Sequence, residues 1–163
     1  MIDVCKFKSV RKIEREMLVR SCKKGDSSDL FDWRNDPYTR EMSLNTDPVP
    51  RDVHESWFAK RREDTNCLLY IGEVDGEKIG VVRFDYDPSK KWAEVSINLN
   101  PLFRGKKMAY PFMLESIQAF RGERSCPIFA LVRIENIASR KLFEASGFNE
   151  VKIENGVCEF ILT

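Results

Sequence analysis

The chain has 163 residues, 42% of them hydrophobic, enough for one sizeable core and hardly for two, so a single domain is expected. Its 27 Lys and Arg against 26 Asp and Glu leave a formal charge of +1, which excludes a global field for DNA, RNA or an acidic membrane and leaves any anionic ligand to local groups. Apolar runs far short of ~18 residues, no signal-peptide core, five cysteines without C-x-x-C spacing and a single histidine predict a soluble, cytoplasmic protein with reduced thiols and no metal site.

Residues 1–16 are charged and weakly periodic, an unassigned N-terminal extension to a domain over 17–163. A β-like stretch over 17–22 leads to Ser27 or Ser28, either of which suits the N-cap of a helix carrying Leu30, Phe31, Trp33 and Arg34. Asp36-Pro37 breaks that helix, a short helical turn continues to Met42, and 45–50 is a loop rich in Pro, Asp and Asn. Pro50 suits the first helical position of a helix to about Arg62, with Val53, Trp57 and Phe58 as its apolar face. Segments 67–74 and 78–86 read as a hairpin through Asp75-Gly76-Glu77, and 92–99 alternates polar and apolar residues as a third antiparallel strand. The stretch 107–120 is helical in character, with Pro111 tolerated near its first turn. A strand over 127–134, a helix over 136–146 stopped by Gly147, and a hairpin of 148–153 with 157–162 complete a mixed α/β order.

Between the third strand and the following helix, Arg104-Gly105-Lys106-Lys107-Met108-Ala109 sets backbone N–H groups, a helix N-terminus and positive side chains on one spot, which suits a pyrophosphate. The motif alone reads equally as a solvated basic turn. It resembles the acetyl-CoA-binding signature of the Gcn5-related N-acetyltransferase (GNAT) superfamily. Residues 136–148, Asn-Ile-Ala-Ser-Arg-Lys-Leu-Phe-Glu-Ala-Ser-Gly-Phe, resemble that superfamily's second motif, N-x-x-[AS]-x-x-[LF]-Y-x-x-x-G-F, at the fitting spacing. The resemblance implies a central, mostly antiparallel mixed sheet with helices on both faces and two central strands splayed into a V for pantetheine. It implies acetyl-CoA as cosubstrate, with the Leu99 backbone toward the thioester, the amides from Arg104 to Ala109 on the pyrophosphate, Asn136 and Phe143 on the pantetheine, and Ser139 and Arg140 nearer the nucleotide. Two positions depart from the pattern: Lys107 stands where glycine is usual, and Phe143 where the family has its tyrosine proton donor.

Acetyl transfer from a thioester needs a neutral amine, so a base is sought. Glu94 is the candidate, with a surface glutamate as the other reading; since it lies an odd number of residues from Leu99, a bulge near 98–100 or a bridging water is needed to bring the two together. Tyr86 is a substitute proton donor or an ordinary sheet-face tyrosine, and His54 a substrate contact or a packed ring. Trp33-Arg34-Asn35-Asp36-Pro37 and His54-x-x-Trp57 resemble the substrate region of acetyltransferases of nucleotide-linked amino sugars, the pseudaminic acid pathway type, and less specifically those of ribosomal-protein N-termini. With Arg83 available, Trp33, Arg34, Asn35, His54, Trp57 and Arg83 form the acceptor set, unless the tryptophans are core anchors and the arginines a solvated rim. The expected protein is an N-acetyltransferase of a small-molecule amine, monomer or homodimer. A peptide N-terminus is the alternative acceptor, and a non-catalytic CoA-binding module the alternative class.

Overall fold

A computed structural model describes residues 16–163, so the expected extension, Glu16 apart, lies outside the described residues. Strand β1 (Met17–Ser21) precedes helices α1 (Ser27–Asn35), α2 (Pro37–Met42) and α3 (Arg51–Glu63), and then strands β2 (Cys67–Val74), β3 (Glu77–Asp87) and β4 (Trp92–Leu99). Helix α4 (Ala109–Glu123), β5 (Ile128–Arg133), α5 (Ile137–Ala145), β6 (Asn149–Glu154) and β7 (Val157–Leu162) complete the chain. The two short hairpin turns follow from their residues: Asp75 and Gly76 have φ of 52° and 79°, Asn155 and Gly156 of 50° and 77°, as a type I′ turn demands of its central pair.

The seven strands form one sheet in the order β1-β2-β3-β4-β5-β7-β6. Every pairing is antiparallel except β4 with β5. Period-two alternation serves both faces. Leu69, Ile71 and Val81 pack with Leu30, Trp33 and Phe58 of α1 and α3, while Val82, Phe84 and Val95 meet Phe112, Ile117 and Phe120 of α4 and Phe143 of α5. Burying these side chains contributes roughly 1.5–3 kcal/mol each. Trp33 is one of the core anchors, 5% exposed, and not a cleft residue. In α3 the buried row is His54 and Phe58, while Val53, expected on the apolar face, is 54% exposed. Positions four apart share a helix face, so the neighbouring row, Val53 and Trp57, is left to line the cleft.

The parallel pairing of β4 with β5 covers only Ala93 with Ile128 and Glu94 with Phe129. Beyond it both strands run on unpaired with each other, and the sheet opens into the V that the resemblance implied. On its other side β4 pairs with β3 without interruption, from Asp87 opposite Trp92 to Gly80 opposite Leu99. Asn100 continues that contact, donating from its N–H to the Ile79 carbonyl at 2.8 Å and from Nδ2 to the Lys78 carbonyl at 2.9 Å. No bulge therefore forms near 98–100, and Glu94 and Leu99 present their side chains to opposite faces. The approach of β3 to β4 here requires glycine: a Cβ on Gly80 would stand 2.7 Å from the Asn98 carbonyl oxygen.

Candidate active site

The V opens into a cleft of about 1410 Å³ between α1–α3 and the ends of β4 and β5. That exceeds the ~300–1,000 Å³ of a single small-ligand pocket and leaves room for a cosubstrate and an acceptor together. At one end lies the turn that begins α4. Gly105 and Lys107 both have positive φ, 72° and 59°, so the backbone coils back on itself ahead of the helix. Among the described residues, no group accepts a hydrogen bond from the backbone N–H of Gly105, Lys107, Met108, Ala109 or Tyr110. The first turn of a helix leaves its amides without intrahelical partners, and here they converge with the positive helix end and the Lys107 ammonium. Lys107, which stands where the resemblance expects glycine, adopts the left-handed conformation nonetheless.

Leu99, Arg104, Met108, Asn136, Ser139 and Phe143 line the same cleft. Asn136 caps α5, its Oδ1 accepting from the Ser139 N–H at 3.1 Å. Phe143 is 3% exposed, its ring 5.1 Å from Phe148 and 5.9 Å from Phe160, with one edge on the cleft. Arg140, expected nearer the nucleotide, is engaged elsewhere, and the Lys106 amide, expected on the pyrophosphate, donates to the Phe103 carbonyl at 3.4 Å. Arg140 reaches Glu150 on β6 at 3.2 Å and the Ile134 carbonyl at 3.4 Å, because its phase on α5 faces the terminal hairpin. The Lys106 ammonium lies 4.8 Å from the centre of the Phe103 ring. Lys141 and Ala138, which the motif did not single out, line the cleft in their place.

At the other end Glu94, Ser96 and Asn98 form a polar row along β4, beside Arg83 across the ladder. Five residues of strand put the Cα of Glu94 roughly 16 Å from that of Leu99. Ser96 and Asn98 stand between the two on the face of the strand that carries Glu94. Tyr86, offered as a donor, pairs with Ala93 on the α4 face; the Arg124 guanidinium lies 4.5 Å over its ring, outside the cleft.

Of the expected acceptor residues, Arg34, His54, Trp57 and Arg83 line the cleft, Arg83 standing 5.6 Å from the Trp57 ring centre and 2.7 Å from Asp85 Oδ2. Arg34 donates from Nη2 to the Asn45 carbonyl at 2.8 Å, while its Nη1 is buried without a hydrogen-bond partner. Burial, then the charge of Arg40, lower its pKa from the ordinary arginine value. Asn35 lies off the cleft, and His54, though it lines the cleft, is buried and hydrogen-bonded. Asn35 clamps the loop before α3, donating to the Val49 carbonyl at 3.0 Å and accepting from the Val49 N–H at 2.8 Å. His54 is 3% exposed among the rings of Phe31, Trp57 and Phe58, with Nε2 donating to the Ser27 carbonyl at 2.8 Å.

The splayed strands and the unpartnered amides ahead of α4 fit the pantetheine and pyrophosphate of acetyl-CoA, and no three His, Cys, Asp or Glu side chains among the described residues could hold a metal ion. The family model described as acetyltransferase (GNAT) domain matches residues 16–149, and the chain belongs to that family. It is an acetyl-CoA-dependent N-acetyltransferase. Among curated proteins no sequence matches. Among solved structures, spermidine N-acetyltransferase from Vibrio cholerae in complex with CoA and spermine superposes with a TM-score of 0.80 at 20% identity, over 90% of this chain and 94% of that one. A domain from Methanocaldococcus jannaschii DSM 2661 gives 0.75 at 20% identity, over 91% and 99%. Such likenesses establish the fold. Among the described residues no helix is long and apolar enough to cross a membrane.

Proposed function

We propose that this acetyltransferase acts in the cytoplasm on the amino group of a nucleotide-linked amino sugar. The observation that carries this reading is the charge of the cleft: Arg34, Lys107 and Lys141 line it with no ion-pair partner among the described residues, against one lining carboxylate, Glu94, whereas Arg83, Arg104 and Arg133 are paired with Asp85, Asp36 and Glu135. The cradle accounts for part of that charge, but Arg34 lies at the acceptor end with a buried, unpartnered Nη1, an arrangement suited to a phosphate oxygen. Spermidine, which the Vibrio cholerae enzyme's name gives as its acceptor, is a polycation, and among the described residues that line the cleft Glu94 alone is a carboxylate to meet it.

When bound, acetyl-CoA supplies the activated acetyl thioester. The amides of Gly105 and of residues 107–110, with Lys107, hold the pyrophosphate, and the unpaired edge of β4 at Leu99 lines the pantetheine channel. Glu94 takes the proton of the attacking amine through water along Ser96 and Asn98. Phe143 cannot donate a proton, and needs no replacement because a thiol with a pKa near ~8.5 departs readily near neutral pH.

Thiol release measured with a UDP-linked amino sugar, spermidine and a peptide with a free N-terminus tests the reading. The amino sugar is expected to show the highest kcat/KM, and Arg34→Ala to raise its KM by ~10–100-fold, the equivalent of a lost charge-assisted hydrogen bond of about 1.5–3 kcal/mol. Faster turnover of spermidine or of the peptide, or an unchanged KM in Arg34→Ala, overturns it.

A further inference from the structure

Helix α2 is tied to both arms of the cleft mouth. At its start, Asp36 Oδ2 accepts from the Thr39 N–H at 2.9 Å as the helix cap and also from Arg104 Nη2 at 2.5 Å, and the same Nη2 donates to Thr39 Oγ1 at 2.6 Å. The Tyr38 ring lies 5.0 Å from the Arg104 guanidinium. At its end, the Glu41 carbonyl accepts from Arg133 Nη1 at 3.1 Å, and the Met42 carbonyl from Asn136 Nδ2 at 3.4 Å. Arg104 opens the cradle turn that follows β4, whereas Arg133 ends β5 and Asn136 caps α5. The two strands are held together by their ladder only at the closed end, and α2 adds a tie between the arms at the open end, beside the packing of α4 against α5.

We infer that α2 is a strut that sets the width of the cleft mouth, and that Asp36 is a positioning residue for the phosphate cradle, acting through Arg104. The inference rests on the reading that residues 105–110 hold the pyrophosphate. Arg104 has its charge neutralised by Asp36 and its Nη2 shared with Thr39, so the side chain is an anchor for the turn and the amides do the binding. Arg34, before the strut, donates to the carbonyl of Asn45 after it, and both residues line the cleft.

The test reads acetyl-CoA affinity by calorimetry on the full chain and needs no acceptor. Asp36→Asn keeps the helix cap, since asparagine caps as well as aspartate, and removes only the charge pair. It is expected to raise the Kd for acetyl-CoA about tenfold, and Arg104→Met to do the same. The double variant should be no worse than either, because both changes cut one tie, and Arg104→Lys, which retains the pair, should recover most of the affinity. Thr39→Val, which leaves cap and charge pair in place, should cost about threefold. An unchanged Kd in Asp36→Asn, or effects that multiply to about a hundredfold in the double variant, overturns the inference, the latter by showing that Arg104 binds the cofactor independently. Absence of acetyl-CoA binding in the parent overturns the cradle reading and the strut with it, whereas equal affinity in parent and variants overturns the strut alone.

Discussion

Lys107 sits at φ +59°, in the left-handed region that costs a residue with a Cβ roughly 1–2 kcal/mol. Lys107→Gly removes that strain but gives the unfolded chain more freedom, a loss of ~0.5–1 kcal/mol. The net is a gain of about 0.5–1 kcal/mol, which at ~2–4 °C per kcal/mol for a chain of this size raises Tm by roughly 1–4 °C. Lys107→Ala removes the ammonium while keeping the strain, so it separates the two contributions. Both variants lose one charge at the cradle, worth up to ~1 kcal/mol for a partly solvated pair, so each is expected to weaken acetyl-CoA by up to about fivefold. Differential scanning calorimetry and acetyl-CoA titration of the three proteins decide the matter. If the glycine variant melts below the alanine variant, the left-handed strain is not there and the conformational account of this position fails.

Glu94→Gln is expected to lower kcat/KM by ~10²–10⁴ while leaving the acetyl-CoA Kd nearly unchanged; a rate profile across pH that superimposes on the parent would make Glu94 an ordinary surface residue. Asp26, 2% exposed, accepts from Arg20 and from the Lys23 N–H and pairs with Lys78 at 2.8 Å. Burial favours its protonated form, but the bonds from Arg20 and Lys78 outweigh this and hold its carboxyl well below the usual carboxylate range. A depressed native pKa stabilises the fold above the unfolded value of ~3.9 and loses that stabilisation as pH falls through the native one. Asp26→Asn should therefore cost about 2–4 kcal/mol at pH 7, with the gap to the parent narrowing at about pH 3; equal gaps in urea denaturation at the two pH values would remove the ion network as the cause.

Most elements were legible in the residues because hydrophobic period and turn chemistry act over a few neighbours. Asp75-Gly76 and Asn155-Gly156 dictate their turns, Gly147 at φ +91° stops α5, and the alternation of 92–99 places Val95 on the core face and Glu94 on the cleft face. The turn ahead of α4 was legible for the same reason: a glycine and two lysines at a helix start are local chemistry. Phase and partnership were not. Arg140 and Lys141 are adjacent in sequence, and only the packing of α5 against the terminal hairpin sends one to Glu150 and leaves the other in the cleft. Trp33 and Trp57 have the same composition signal, yet one is buried in the core beneath α1 and the other lines the cleft. Asn35 is hydrogen-bonded to Val49 and His54 to Ser27, ties between segments that the sequence keeps apart. The tie of Asp36 to Arg104 spans 68 residues, and no periodicity carries information over that distance. Local sequence decides which backbone conformations are cheap, whereas which side chains remain free to meet a ligand depends on what the tertiary fold has already given them to hold.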